Sequence, residues 1–237
     1  MSKEKDVFQS LKAVLSPILN IMVDIEKEGL ENISESGGRI LIGNHRSDMD
    51  PFVIASILPH YISWVAAEYT KRIPVFDQLV KNTGVIPMEI DGNVSVSSIK
   101  KLMSVLKAGE ILGIFPEGHD YMVKNNFSGP MVDWHGGFAV FAYRAKVPVT
   151  PFVIVPLEEE VSAIPVAPSI RQMIGLPEEV AKIPLRCTYK KVKVVFEKSI
   201  MPDEYRAYPE KEAIPFLLNR CRQTMEQIMQ REGMPIS

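Results

Sequence analysis

Ile42-Gly43-Asn44-His45-Arg46-Ser47-Asp48-Met49-Asp50-Pro51-Phe52 is the stretch on which the reading of this chain turns. It follows an apolar run, Arg39–Gly43, that predicts a strand. It ends in Asp50-Pro51, a helix start with Asp50 as N-cap and Pro51 at the first helical position. His45 then stands in a turn at the carboxyl end of a strand, the edge of an open α/β sheet where ligands bind. On one continuous helix, residues five apart point away from each other. A turn folds the chain back, so that the Asp50 carboxylate reaches the His45 imidazole. A carboxylate on one ring nitrogen fixes the tautomer, and the other nitrogen can take a proton as a general base does. The plainer alternative is that Asp50 only caps the helix and His45 is a surface turn residue, since turns favour such residues anyway.

Outward from this stretch, short apolar runs alternate with helical patterns. Tyr61–Val65, Gly84–Met88, Ile111–Phe115, Val149–Val155 and Lys193–Phe196 read as further strands. Pro51–Leu58, Lys71–Thr83, Val94–Lys107 and Gly137–Ala145 read as helices, and a long closing helix starts at Glu210. Apolar strands separated by helices predict an α/β fold, a mainly parallel central sheet flanked by helices on both faces. Asp120–Asp133 is polar and reads as a loop beside a site. Pro156–Pro184, interrupted by prolines and carrying Glu158–Glu160, reads as a lid, an acceptor-side insertion or an irregular crossover.

At the N-terminus, Val7, Phe8, Leu11, Val14, Leu15, Ile18, Leu19 and Met22 recur at helical spacing, with Lys3, Lys5 and Lys12 placed to meet anionic head groups. Two uses of this stripe stay open: packing on the domain, or peripheral membrane contact through residues 7–22. Pro17 is expected to break or kink the helix. No apolar run is long enough to predict a membrane span, and no signal peptide is recognised. The expected location is cytoplasmic, on the cytoplasmic membrane face if the stripe binds lipid. Across 237 residues the formal net charge is −2, which gives nucleic acid no broad basic surface. Cys187 and Cys221 lack ligand-like spacing and read as ordinary reduced thiols.

Further blocks follow the first in order, and together they carry a resemblance. Gly29-Leu30-Glu31-Asn32 with Asn44–Phe52 forms one block, and Arg72-Ile73-Pro74-Val75-Phe76 with Gly84-Val85-Ile86-Pro87 a second. Phe115-Pro116-Glu117-Gly118 forms a third and Val147-Pro148-Val149-Thr150-Pro151 a fourth. Over roughly residues 28–155 the chain resembles the glycerolipid acyltransferases of the PlsC type, the 1-acylglycerol-3-phosphate acyltransferases marked by an H-x4-D block. The resemblance implies a glycerol-3-phosphate acyltransferase-like fold, with residues 1–27 an N-terminal amphipathic helical segment and 28–237 the acyltransferase domain. It implies direct transfer of a fatty acyl group from acyl-CoA or acyl-carrier protein to the hydroxyl of a lysophospholipid, lysophosphatidic acid by family default, in phospholipid biosynthesis. His45 would be the base and Asp50 its orienting partner. Arg46, Ser47, Glu117, Gly118 and Gly84 are the expected substrate-binding residues, with no metal and no cofactor beyond the acyl donor. Glu117 also has a plainer reading, a buried carboxylate satisfied by backbone donors.

Two departures bear on the acceptor. Where the family's second and third blocks carry arginines, this chain has Met88-Glu89-Ile90-Asp91 and His119-Asp120. A phosphomonoester beside Glu89, Asp91 and Asp120 meets like charge unless Arg46, Lys71, Arg72 or Lys124 offsets it. A non-phosphate lipid acceptor, or a catalytically silent lipid- or acyl-binding relative, therefore stands as the alternative. His119 and His135 read as polar loop residues rather than second bases. A metal-dependent hydrolase built on His45, Asp48, Asp50, Glu117 and His119 is the remaining rival, and it leaves the ordered blocks unexplained.

Overall fold

The computed structural model describes residues 2–33, 36–68, 74–88, 95–118, 131, 133–163, 167–174 and 185–236. In chain order the elements are α1 (Ser2–Met22), β1 (Asp24–Glu28), a 3₁₀ turn (Leu30–Asn32), β2 (Arg39–Gly43), α2 (Asp50–Ile57), β3 (Ile62–Ala67), α3 (Pro74–Thr83) and β4 (Ile86–Met88). There follow α4 (Val96–Lys107), β5 (Ile111–Ile114), α5 (Gly137–Ala145), β6 (Val149–Ala163), α6 (Pro168–Ile174), β7 (Leu185–Phe196), α7 (Pro202–Arg206) and α8 (Glu210–Arg231).

The strands form one sheet in the order β1-β7-β6-β2-β5-β3-β4. Every neighbouring pair is parallel except β6–β7, which is antiparallel. β2 sits between β6 and β5 and is buried along its whole length, as its unbroken apolar run requires. Its alternate residues feed two cores. Leu41 joins Phe8 of α1 and Val53 and Ile54 of α2 on one face. Ile40 and Ile42 join Leu102 and Leu106 of α4, Phe138 and Ala142 of α5, and Leu217 and Cys221 of α8 on the other. The expected architecture, a mainly parallel sheet with helices on both faces, is the one that forms.

Several elements differ from their sequence reading. β1 was not expected: Asp24-Ile25-Glu26-Lys27-Glu28 has little apolar content, and its charges pair with Lys191 and Lys193 of the neighbouring strand. β1 also brings residues 24–28 into the sheet, and Phe8 is buried in the main core, so the N-terminal segment is built into the domain. α1 runs unbroken through Pro17. The lost backbone hydrogen bond is outweighed by packing of α1 on its neighbours α2 and α3. Part of Pro156–Pro184 is regular, supplying the end of β6, then α6; 164–166 and 175–184 lie outside the described residues. Lys71, Arg72, Glu89, Asp91, His119, Asp120 and Lys124 also lie outside them.

Candidate active site

β2 ends at Gly43, and the next six residues turn the chain before α2 begins. Asn44 anchors the start of this turn. Its side-chain amide donates to the Ile154 carbonyl at 3.0 Å, and its carbonyl accepts the Ile154 N–H at 2.8 Å, extending the β2–β6 pairing. His45 and Asp50 then meet, with Nδ1 of the imidazole 2.8 Å from Oδ2 of the carboxylate. The same oxygen accepts the backbone N–H of Arg46 at 2.7 Å and of Ser47 at 2.9 Å. Asp50 is therefore not the N-cap expected from sequence. Met49 holds that position, and the Asp50 carboxylate bonds backwards to the turn that precedes the helix. The other oxygen, Oδ1, accepts the hydroxyl of Tyr189 at 2.7 Å. Asp50 is fully buried, and four donors compensate its charge.

With Nδ1–H donating to Asp50, the imidazole is held in the tautomer whose Nε2 accepts a proton. The ring is also fixed face-on. Phe115, just after β5, stacks on it with centroids 4.2 Å apart, and Trp64 of β3 stacks on Phe115 at 5.0 Å. Gly113 makes room for this layer, because a Cβ there would stand 2.4 Å from the Trp64 ring. Glu117, at the end of the same strand–turn, is buried, and its Oε1 accepts the backbone N–H of His45 at 3.0 Å. That matches the plainer of its two sequence readings, a carboxylate satisfied by a backbone donor. Gly118 follows it with φ of 62°, and the His135 ring lies against it, 3.3 Å from where a Cβ would be.

Three of the residues expected to contact substrate have the following places and protein partners. The Arg46 guanidinium is buried and bonds both carboxylate oxygens of Glu159, at 3.0 and 3.2 Å, so its charge is already matched. The Ser47 hydroxyl is buried and donates to the Cys187 carbonyl at 2.5 Å. Both side chains fasten the turn to β6 and β7. Gly84 precedes β4, at the amino ends of the parallel strands and so at the opposite edge of the sheet from His45. Its φ of 76° and the Tyr61 hydroxyl, 1.9 Å from a Cβ built there, explain the glycine as a tight turn against Tyr61.

Tyr189 and Glu159 are the members of this constellation that sequence reading missed. Tyr189 is 139 residues from Asp50 and belongs to none of the four blocks. Burial, and then the Asp50 charge beside it, push its phenol well above the ordinary range, so it is a hydrogen donor and not an ionising group. Burial, and then the hydrogen bond to Glu159, likewise push the Cys187 thiol up. Among the described residues, no group of three or more His, Cys, Asp or Glu side chains is placed to hold a metal ion. The protein donors already occupying both Asp50 oxygens make it a poor ligand in any case.

A hydrogen-bonded His–Asp pair at the carboxyl edge of a parallel sheet can deprotonate a hydroxyl and return the proton to a leaving group. Comparison with known proteins shows the family and the fold. The chain matches the family model described as Acyltransferase over residues 24–155. It is 24% identical to a 1-acyl-sn-glycerol-3-phosphate acyltransferase of Helicobacter pylori, over 56% of this chain and 54% of that protein. An uncharacterized protein of Mycobacterium tuberculosis is 23% identical over 70% of this chain and 48% of its own length. The chain thus spans about half the length of these curated relatives. In fold it is similar to the crystal structure of the 1-acyl-sn-glycerophosphate acyltransferase PlsC of Thermotoga maritima, with a TM-score of 0.63 at 18% identity, covering 95% of this chain and 80% of that one. The chain belongs to the acyltransferase family, and its fold is that of PlsC.

Proposed function

We propose that this protein transfers a fatty acyl group from acyl-CoA or acyl-carrier protein to the hydroxyl of a lysophospholipid, with lysophosphatidic acid the first acceptor to test. The observation that carries the reading is the 2.8 Å contact between His45 Nδ1 and Asp50 Oδ2. His45 Nε2 takes the acceptor's hydroxyl proton as the oxygen attacks the thioester carbonyl. The tetrahedral intermediate collapses with cleavage of the C–S bond, and the proton passes from the imidazolium to the departing thiolate. Asp50 keeps the imidazole oriented and stabilises its charged form.

The acceptor's head group is the open part of this reading. Arg46, the cation nearest His45 in sequence, is matched by Glu159, which favours as second reading an acceptor that carries no phosphomonoester. The experiment is to offer one acyl-CoA with a mixed pool of lysolipids and identify the acylated product by mass spectrometry. An acylated lysophospholipid supports the first reading and an acylated non-phosphate lipid the second. Free fatty acid with no acylated lipid contradicts both.

We also read α1 as a peripheral membrane contact on the cytoplasmic face. Val14, Leu15, Ile18, Ile21 and Met22 are exposed along its second half. Two of the lysines expected to reach head groups are instead tied inward, Lys5 to Glu110 and Lys12 to the Leu58 carbonyl. Apolar insertion then drives the contact, with little help from charge. No helix among the described residues is long and apolar enough to cross a membrane.

A further inference from the structure

We propose that Tyr189 is a positioning residue for the His45–Asp50 pair, its hydroxyl holding the carboxylate and setting how readily the imidazole takes a proton. The proposal rests on the reading of His45 as the base. Tyr189 lies on the antiparallel ribbon of β6 and β7, opposite Glu159. Side chains in a regular strand alternate between faces, so an odd-numbered and an even-numbered residue cannot share one. Yet Cys187 and Tyr189 lie in the same core cluster as Val192, Val194 and Phe196. The register shifts between Pro156 and Glu158 and between Glu158 and Glu159 account for this. They are β-bulges, which change the phase of the ribbon and re-aim the side chains beyond them. Without them Tyr189 would face the other side of the sheet.

The bulges place the phenol in a buried position where Asp50 is its partner. Oδ2 already takes three donors from the turn itself, His45, Arg46 and Ser47. Oδ1 takes Tyr189, the donor that arrives from a different part of the fold. Removing this hydroxyl leaves a buried carboxylate oxygen short of a partner. Other charged or titratable groups also surround the pair. Arg46 and Asp48 are in the same turn, Glu117 follows β5, Glu159 is on β6, Cys187 is on β7, and His135 lies against Gly118. Arg46 and Cys187 already donate to Glu159, and Glu117 accepts from the His45 N–H, so the direction of the effect is argued from Asp50. A neutral imidazole leaves the pair with a full negative charge, whereas an imidazolium cancels it. A donor to the carboxylate stabilises the first state more. Its loss therefore raises the proton affinity of the pair.

The test is Tyr189→Phe, with the His45 imidazole titrated by NMR on protein carrying ring-labelled histidine, its signal assigned through its absence in His45→Gln. The expected result is a folded variant whose His45 midpoint lies above that of the wild type. In the transfer assay, the acid limb of the kcat profile should move up with it, and kcat at neutral pH should fall roughly 10-fold with little change in KM. If Tyr189→Phe does not fold, 3-fluorotyrosine introduced at 189 keeps the hydroxyl as a stronger donor and should move the midpoint down. A midpoint that stays put in a folded variant overturns the proposal. The NMR titration needs no turnover, so a failure to find any acyl acceptor would overturn the proposed function without touching this result.

Discussion

Arg46 and Glu159 lie 3.0 Å apart, Nη2 to Oε1, and through this contact the turn that carries His45 is fastened to the outer half of β6. The two side chains are 10% and 22% exposed, so the pair is largely but not fully desolvated. Glu159→Gln leaves the guanidinium buried without a countercharge, and we expect a loss of about 1–3 kcal/mol, below the range for breaking a fully buried pair. Arg46→Met combined with Glu159→Met should cost less than either single change, because no charge is left unmatched. Urea denaturation of Arg46→Met, Glu159→Met and the double checks this, and additive losses would mean that the pair is not coupled.

Asp50→Asn keeps the side-chain shape but turns one acceptor into a donor. An amide cannot accept from His45, Arg46, Ser47 and Tyr189 as the carboxylate does. The imidazole loses the group that fixes its tautomer. Acyl transfer should fall on the order of 10²–10⁴-fold, with a lower melting temperature from the unsatisfied turn donors. Parallel measurement of transfer rate and thermal unfolding separates the two effects. Loss of stability with the rate intact would leave Asp50 a purely structural residue.

Much of this arrangement was legible in the chain, and the rest was not for identifiable reasons. β2 and α5 fall where their apolar patterns place them, β2 buried along its whole length and α5 along one face. The His45–Asp50 contact followed from a turn between a strand and a Pro-initiated helix. β1 escaped because an edge strand stabilised by cross-strand Lys–Glu pairs carries no apolar alternation. The first half of β7 escaped because Lys190 is an extra, unpaired residue between Lys191 and Tyr189 and shifts the strand's phase, so Cys187 and Tyr189 do not alternate in step with Val192–Phe196. Tyr189 was lost with it. Gly84 was assigned to the site through a block shared with relatives, while its conformation answers to Tyr61 at the far edge of the sheet.

α1 divides into a packed half and an exposed half, and the two should respond differently to substitution. Phe8 is buried against Tyr61, with ring centroids 5.2 Å apart, so Phe8→Ala should cost about 3–5 kcal/mol. Ile18 and Ile21 are 50% and 85% exposed. Ile18→Glu with Ile21→Glu should leave the melting temperature unchanged while weakening sedimentation with phosphatidylglycerol-containing vesicles. These point changes test the membrane contact better than deleting residues 2–22, which would also uncover the core around Phe8. Equal vesicle binding by the wild type and the double variant would dispose of the contact.

The most direct test of the account is His45→Ala assayed for transfer of an acyl group from acyl-CoA to the acceptor identified in the lysolipid screen. Asp50 keeps its backbone donors and Tyr189 in that variant, so the protein should remain folded. The account requires transfer to fall to the background rate at an unchanged melting temperature. Retention of most of the wild-type rate by the folded variant would contradict it, because no hydroxyl would then be giving its proton to the imidazole.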